Sequence, residues 1–322
     1  MQISKKDYKK AKNTLLWRYM SLPKFLDLIL NGRLYFADLE TLSKEDPYES
    51  AFPLYADYPV YIKKIIDEYK QNTNKDPQAA AILDDAFPDC QEFEKISNNY
   101  RIIKSSTFAN CWHSNKDENY AMWKIYANND ASVAIVTDIE MLQNAITSDK
   151  EISAGFVKYN YGKFLSQKRI QGLNLFKNFN MLKKYLKKAS FYKRGCFEYE
   201  KEFRLIYQAD FVDENKNYVS VDINKLIKYI YISPSAEDFI KNIIKTTLNE
   251  LKNCNKLQLE IEKIVVESSI KGNLLNDYLG SLARYCLENN NNISNESEKY
   301  QLLLLLMISS SNCWHKLLNN NE

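Results

Sequence analysis

The segment Glu198–Tyr207, EYEKEFRLIY, spaces three carboxylates two residues apart and follows them with an arginine. In a strand, successive side chains point to opposite faces. Glu198, Glu200, Glu202 and Arg204 then share one face. Tyr199, Phe203, Leu205 and Tyr207 share the other, with Lys201 the odd member. Two uses fit such a strand. At a half-solvated sheet edge, Arg204 pairs with a glutamate and the pattern is structural. In a cleft, the same residues offer a carboxylate pair, one member of which can deprotonate a group within hydrogen-bond reach.

A pair of carboxylates needs elements to hold it. The stretch 15–21, LLWRYMS, reads as a strand of bulky residues with Arg18 at its centre. Residues 22–32 follow with Leu22, Phe25, Leu26, Ile29 and Leu30 at helical spacing, Ser21 as N-cap and Gly32 as the stop. Residues 33–38 return as a second strand. A polar loop (43–50) holds Asp46 and Glu49, which either cap the next helix or line a cleft. Helical patterns occupy 57–100, broken at Pro77 and Pro88. Further strands are expected over 100–114, 132–139, 152–160, 227–236 and 259–267. Helices are expected over 119–127, near Glu140–Ile146, over 172–192 and over 236–252. This alternation is a mixed α and β chain without an internal repeat. After about residue 275 the character changes to an Asn-rich linker (287–299) and an apolar run (302–308). The expected division is a lead-in over 1–14, one α+β domain over 15–275, and a linker with a C-terminal helix over 276–322.

Composition narrows the function classes. A chain of 322 residues with 45% hydrophobic content can bury a sizeable core, so a globular protein is expected. The net charge of +3 is too near balance to argue a nucleic-acid partner by itself. With 7 glycines and neither GxGxxG nor GxxxxGK, the dinucleotide and Walker phosphate loops lose their support. Six cysteines without a CxxC pair and an N-terminus without an apolar core are expected of a cytoplasmic protein with reduced thiols. The run at 302–308 is far short of the roughly 20 residues that span a bilayer. Asn-Cys-Trp-His occurs twice, at 110–113 and 312–315, and holds both histidines. Cys-x-His is not a usual zinc spacing, so no metal is expected.

Four stretches taken together resemble the bacterial domain of unknown function 2971 (DUF2971). They are LLWRYMSLPKFLDLILNGRLYFAD, EDPYES, CWHSNKDENYAMWKIYA and FEYEKEFRLIY. The resemblance covers roughly 15–270. It departs from the family's pattern at Glu45, Phe203 and Ser233. A strand, helix, Gly, strand opening with a basic residue also looks like the start of ADP-ribosyltransferase-like folds. That resemblance implies a split sheet with flanking helices. It also implies a basic residue in the first strand, a Ser or Tyr in the middle, and a late Glu-x-Glu, places that Arg18, a middle element around Ser105 to Ser114 or Tyr126, and Glu200-x-Glu202 fill in order.

The resemblance further implies NAD as substrate. Loss of nicotinamide passes through an oxocarbenium-like ribose that a fixed carboxylate stabilises, a role that suits Glu202. Glu200 suits the base for the acceptor. Arg18 suits the phosphates or the adenosine-side ribose, and Arg204, beside the acids, is expected to join it in holding NAD. Tyr19, Trp123 or Tyr126 could stack on nicotinamide, and Ser114 fills the middle place. The expected function is an ADP-ribosyltransferase-like effector acting on nucleic acid or protein, in a toxin or anti-phage setting. A glycohydrolase with water as acceptor and a non-catalytic sensor or scaffold module are the alternatives. The plain readings also stand: Arg18 as a structural bridge to Glu200 or Glu202, and Met122, Trp123 and Tyr126 as core.

Overall fold

A computed structural model describes residues 1–50, 68, 90–127, 131–160, 162, 178–209, 216–268 and 270. The chain divides into two compact units, Met1–Val266 and Glu267–Glu322. The sheets and helices that position the site belong to the first. The apolar run 302–308 and the Asn-rich linker lie outside the described residues.

The expected strand and helix at residues 15–32 form as β2 (Leu15–Ser21) and α2 (Leu22–Asn31). Leu22, Phe25, Leu28 and Ile29 turn to the core from α2, while Leu30 faces outward. Pro23 sits in the first turn, where a missing N–H costs nothing. Gly32 ends the helix at φ +58, and a Cβ there would meet the Val221 carbonyl oxygen at 3.2 Å. Ahead of β2, residues 1–14 are built into the unit. β1 (Gln2–Ile3) pairs in parallel with β7 (Ser153–Phe156), and α1 (Lys5–Ala11) buries Ala11.

The expected strand at 33–38 is two strands in two sheets. β3 (Arg33–Tyr35) pairs with β9 (Tyr218–Ser220) in a two-stranded sheet. β4 (Ala37–Asp38) joins β5 (Thr107–Asn115) in the main sheet. That sheet runs β1-β7-β8-β5-β2-β6-β10-β11, with β6 (Ser132–Thr137), β8 (Glu202–Gln208), β10 (Tyr229–Ile232) and β11 (Val265–Glu267). β6 is buried along its whole length, as a strand covered on both faces must be. The apolar core gathers Phe25, Trp112, Ile135, Leu205, Ile230 and Ile244 with many others on one side of the sheet. Smaller groups around Trp17, Tyr19 and Trp123, and around Ala109 and Ile206, form apart from it.

Helices frame the sheet: α3 (Leu39–Leu42), α4 (Cys90–Ser105), α5 (Tyr120–Tyr126), α6 (Ile139–Ala145), α7 (Phe179–Ala189), α8 (Ile223–Leu226), α9 (Asp238–Asn253) and α10 (Ile261–Ile264). Caps predict several starts. Asp38, Asn119, Asp138, Asn178 and Asp222 each accept a backbone N–H of the first turn. Two expectations shift. The strand expected over 259–267 is helix α10 and the short β11. The strand expected from 100 is the end of α4, and β5 begins only at Thr107.

The stretch EYEKEFRLIY also differs from its expectation. Residues Gly195–Glu200 form a 3₁₀ turn, and Lys201 follows in the left-handed conformation at φ 43. Only from Glu202 does the chain enter β8. That strand lies inside the sheet between β5 and β7, buried along nearly its whole length. The edge-strand reading is therefore overturned. Apolar burial on the Phe203, Leu205 and Tyr207 face, with ladders on both sides, holds the strand inside the sheet.

Candidate functional site

The site begins where the main sheet forks along β5. β2 pairs with β5 only from Leu15↔Asn115 to Trp17↔His113. β4 takes the same edge at Ala109 and Phe108. Cys111 falls in the gap between these two ladders. Arg18 fills the fork: its Nη1 donates to the Cys111 oxygen at 2.9 Å and its Nη2 to the Tyr35 oxygen at 3.1 Å. A guanidinium has five N–H groups, so these two bonds leave others unengaged among the described residues. Among the described residues no carboxylate ion-pairs with Arg18, and burial lowers its pKa without removing its charge. The bridge reading for Arg18, to Glu200 or Glu202, is thus not what forms.

The fork opens into a cavity of about 690 Å³. Arg18, Glu200 and Glu202 all line it, with Tyr19, Tyr126 and Tyr218 among its aromatic walls. The left-handed turn at Lys201 is what aims Glu200 and Glu202 into one space although they do not share a strand.

The two acids live in different surroundings. Glu202 is gripped side-on by Arg204: Nε donates to Oε1 and Nη2 to Oε2, each at 2.8 Å. Arg204 also donates from Nη1 to Glu49 Oε1 at 2.5 Å, from Nη2 to Glu49 Oε2 at 3.1 Å, and from Nη1 to the Ser190 oxygen at 2.7 Å. All five donors are occupied, and the side chain is 1% exposed. Glu200 sits under Tyr126, whose hydroxyl donates to Oε1 at 2.9 Å, and takes Lys193 Nζ on Oε2 at 2.6 Å. Lys193 stands 3.9 Å from Glu202 Oε2 and 4.0 Å from Glu49 Oε2.

Two cations thus face three carboxylates, and the excess charge falls on Glu200. Burial and the neighbouring Glu202 charge push its carboxyl up, against Lys193 and Tyr126. Burial also pushes on Glu202, but Arg204 and Lys193 outweigh it and hold that carboxyl below its usual range. Surroundings that drive a pair of carboxyl pKa values apart assign an acid or base role to one and a fixed charge to the other. Lys193 is raised, the carboxylates outweighing its burial. Burial, then Glu202, raise the Cys111 thiol well above its usual value. The Glu202 backbone N–H is held in turn by the Tyr159 hydroxyl at 2.7 Å.

The remaining candidates divide. Tyr19 lines the cavity and its hydroxyl accepts the Asn119 N–H at 2.8 Å. Tyr126 lines it as well. Trp123 does not: it is buried edge-on to Tyr19 at 5.0 Å, with Nε1 donating to Glu118. That is the core role. Ser114 is engaged in the β2 ladder, with its hydroxyl 3.4 Å from Thr14 Oγ1, and lies outside the cavity lining. Arg204, expected to hold NAD, instead spends all its donors on Glu202, Glu49 and the Ser190 carbonyl and lies outside the cavity lining. Glu49 joins that grip, so the acidic loop feeds the site, whereas Asp46 pairs with Arg194 at 2.7 Å. Lys193, Cys111 and His113 belong to the site without having been singled out for it. For the last two the signal was available, since alternate residues of a strand share a face. Nothing in the sequence around Lys193 marks it. Among the described residues no cluster of ligands could hold a metal ion.

A family model described as "Protein of unknown function (DUF2971)" matches residues 122–205, a span that holds Tyr126, Lys193, Glu200, Glu202 and Arg204. No curated protein and no solved structure matches the chain.

Proposed function

We propose, for this chain whose residues 122–205 match the DUF2971 model, an NAD-consuming activity that transfers ADP-ribose to an acceptor. The observation that carries it is the shared cavity. Arg18, with donors the fork leaves unused, and a carboxylate pair whose pKa values are driven apart both line one aromatic-walled cleft at the fork, the guanidinium from the Trp112 face of the sheet and Glu202 from the other. Arg18 takes oxygens of the diphosphate, where a planar fork binds them in pairs. The bond between nicotinamide and the ribose carbon breaks, and its electron pair leaves with nicotinamide. Glu202, held ionised, stabilises the positive ribose that remains. Glu200, the more basic of the pair, takes the proton of the attacking acceptor as the new bond forms. A nucleic acid or a protein is the acceptor, and depletion or transfer of this kind suits a toxin or anti-phage effector.

One observation favours water as the acceptor instead. Glu200 is 5% exposed and lies beneath Tyr126. A bulky nucleophile reaches it only if that tyrosine swings aside, whereas water demands the least displacement.

The test is nicotinamide release from NAD by wild type, Arg18→Gln and Glu200→Gln, with and without nucleic-acid and protein acceptors. Arg18→Gln is expected to raise KM about tenfold or more, the scale of a lost hydrogen bond to a charged group. Glu200→Gln is expected to suppress labelling of an acceptor more than nicotinamide loss. No release by folded wild type under any condition would leave a non-catalytic module as the reading.

A further inference from the structure

The first Asn-Cys-Trp-His sequence lies in β5, and the strand's alternation sorts its members. Asn110 and Trp112 face the core side, where Trp112 Nε1 donates to Asn110 Oδ1 at 2.6 Å. Cys111 and His113 take the other face, opposite Arg204 and Glu202 in the ladder, and both line the cavity. The ladder sets His113 directly opposite Glu202 on one side and opposite Trp17 on the other. Its Nδ1–H donates to the Glu200 carbonyl at 2.5 Å, so Nε2 carries the lone pair. Nε2 has one described neighbour, Asn119 Nδ2 at 3.5 Å, the long limit for such a bond. Burial lowers the imidazole's pKa, which keeps this acceptor neutral. The side chain is 5% exposed, and Tyr19, Met122 and Tyr126 line the same cavity.

A buried, fixed acceptor at a cavity wall calls for a ligand that brings a donor. Side chains directly opposite one another in a ladder have Cβ atoms about 5 Å apart. A group bonded to the ribose carbon that Glu202 faces therefore comes within reach of His113. On the NAD-consuming reading, that group is the leaving base. We propose that His113 Nε2 accepts an N–H hydrogen bond from the nicotinamide carboxamide, which makes His113 the residue that selects the leaving group. Sites that hydrogen-bond a substrate group reject the analogue lacking it, because the buried partner is left unpaired.

The experiment compares NAD with its 3-acetylpyridine analogue, in which a methyl replaces the carboxamide NH₂. It uses the full chain as wild type and as His113→Asn. Asn keeps a donor where Nδ1 stands, and so the bond to the Glu200 carbonyl, but offers no acceptor at Nε2. Wild type is expected to favour NAD by about tenfold or more in kcat/KM. His113→Asn is expected to bring that ratio close to one by losing NAD activity alone. A ratio unchanged in His113→Asn, or wild type that does not discriminate, overturns the role of His113 and leaves the NAD reading standing. Should His113→Asn fail to fold, the wild-type ratio alone decides between those results. Wild type that releases neither base overturns the NAD reading, and this inference with it.

Discussion

Arg204 has no donor left for a ligand, and this decides what its loss would do. Arg204→Met strands Glu49 and Glu202 together in a buried site. Breaking a buried pair in this way costs about 3–5 kcal/mol, which urea unfolding would read as a lower midpoint. Glu202→Gln is not a charge-only change here, because its new NH₂ group faces Arg204 N–H groups that need acceptors. A melting temperature well below wild type is expected, and one equal to it would contradict the grip described. Glu200→Gln differs, since its oxygen can still accept from Lys193 or Tyr126. The raised Glu200 pKa means that the folded state holds this proton more tightly than the unfolded one. Its contribution to stability therefore declines as pH rises from about 4.5, the usual glutamate value, through the folded pKa. Glu202 has the opposite sign, contributing above that value and losing its contribution as pH falls through its lowered pKa. Urea midpoints of wild type and Glu200→Gln between pH 4.5 and 8 should diverge, wild type losing ground as pH rises, and parallel curves would show that Glu200 is not the group that titrates. The acids and Arg18 were legible from residue type and order. The saturation of Arg204 was not, because Glu49 reaches it from 155 residues away.

At the scale of elements, the turn before β8 matters more than the strand. Alternation alone would have put Glu200 and Glu202 on one face. What brings them together is a 3₁₀ turn and the left-handed Lys201. A β-branched residue tolerates that conformation poorly, so Lys201→Val is expected to cost about 1–3 kcal/mol and to impair both acids at once. Lys201→Gly should hold stability near wild type. Denaturant midpoints paired with nicotinamide release read both effects, and a harmless Lys201→Val would mean that the turn is not what sets the acids. Local signals served well where one element decides its own form, as in α2 with Pro23 and Gly32 or α6 with Asp138. They failed where a long-range partner decides. Residues 33–38 read as one strand because nothing local shows that Tyr35 pairs with Tyr218 while Ala37 pairs with Ala109. The fork that holds Arg18 is a consequence of that division, so the cavity could not be read from β2 alone.

The whole molecule joins its site from segments far apart in the chain: β2 near the start, β5 in the middle, and the turn before β8 beyond it. Their ladders close within Met1–Val266, the first of the two compact units. Among the described residues no helix is long and apolar enough to cross a membrane. The site therefore depends on a unit that holds its own sheet, and removal of the later residues should spare it. A chain cut after Leu275 keeps β11 and every described residue of the cavity. It is expected to melt in one cooperative transition close to that of the full chain, since domains carry their own core and few contacts cross their boundaries. It is also expected to retain whatever affinity the full chain has for NAD, because Arg18, His113, Glu200 and Glu202 all remain. Calorimetry of the two chains with a binding titration would measure both. Aggregation or a broad, non-cooperative melt of the shorter chain would show that residues after Leu275 complete the core. A cooperative melt with lost binding would show instead that they complete the site.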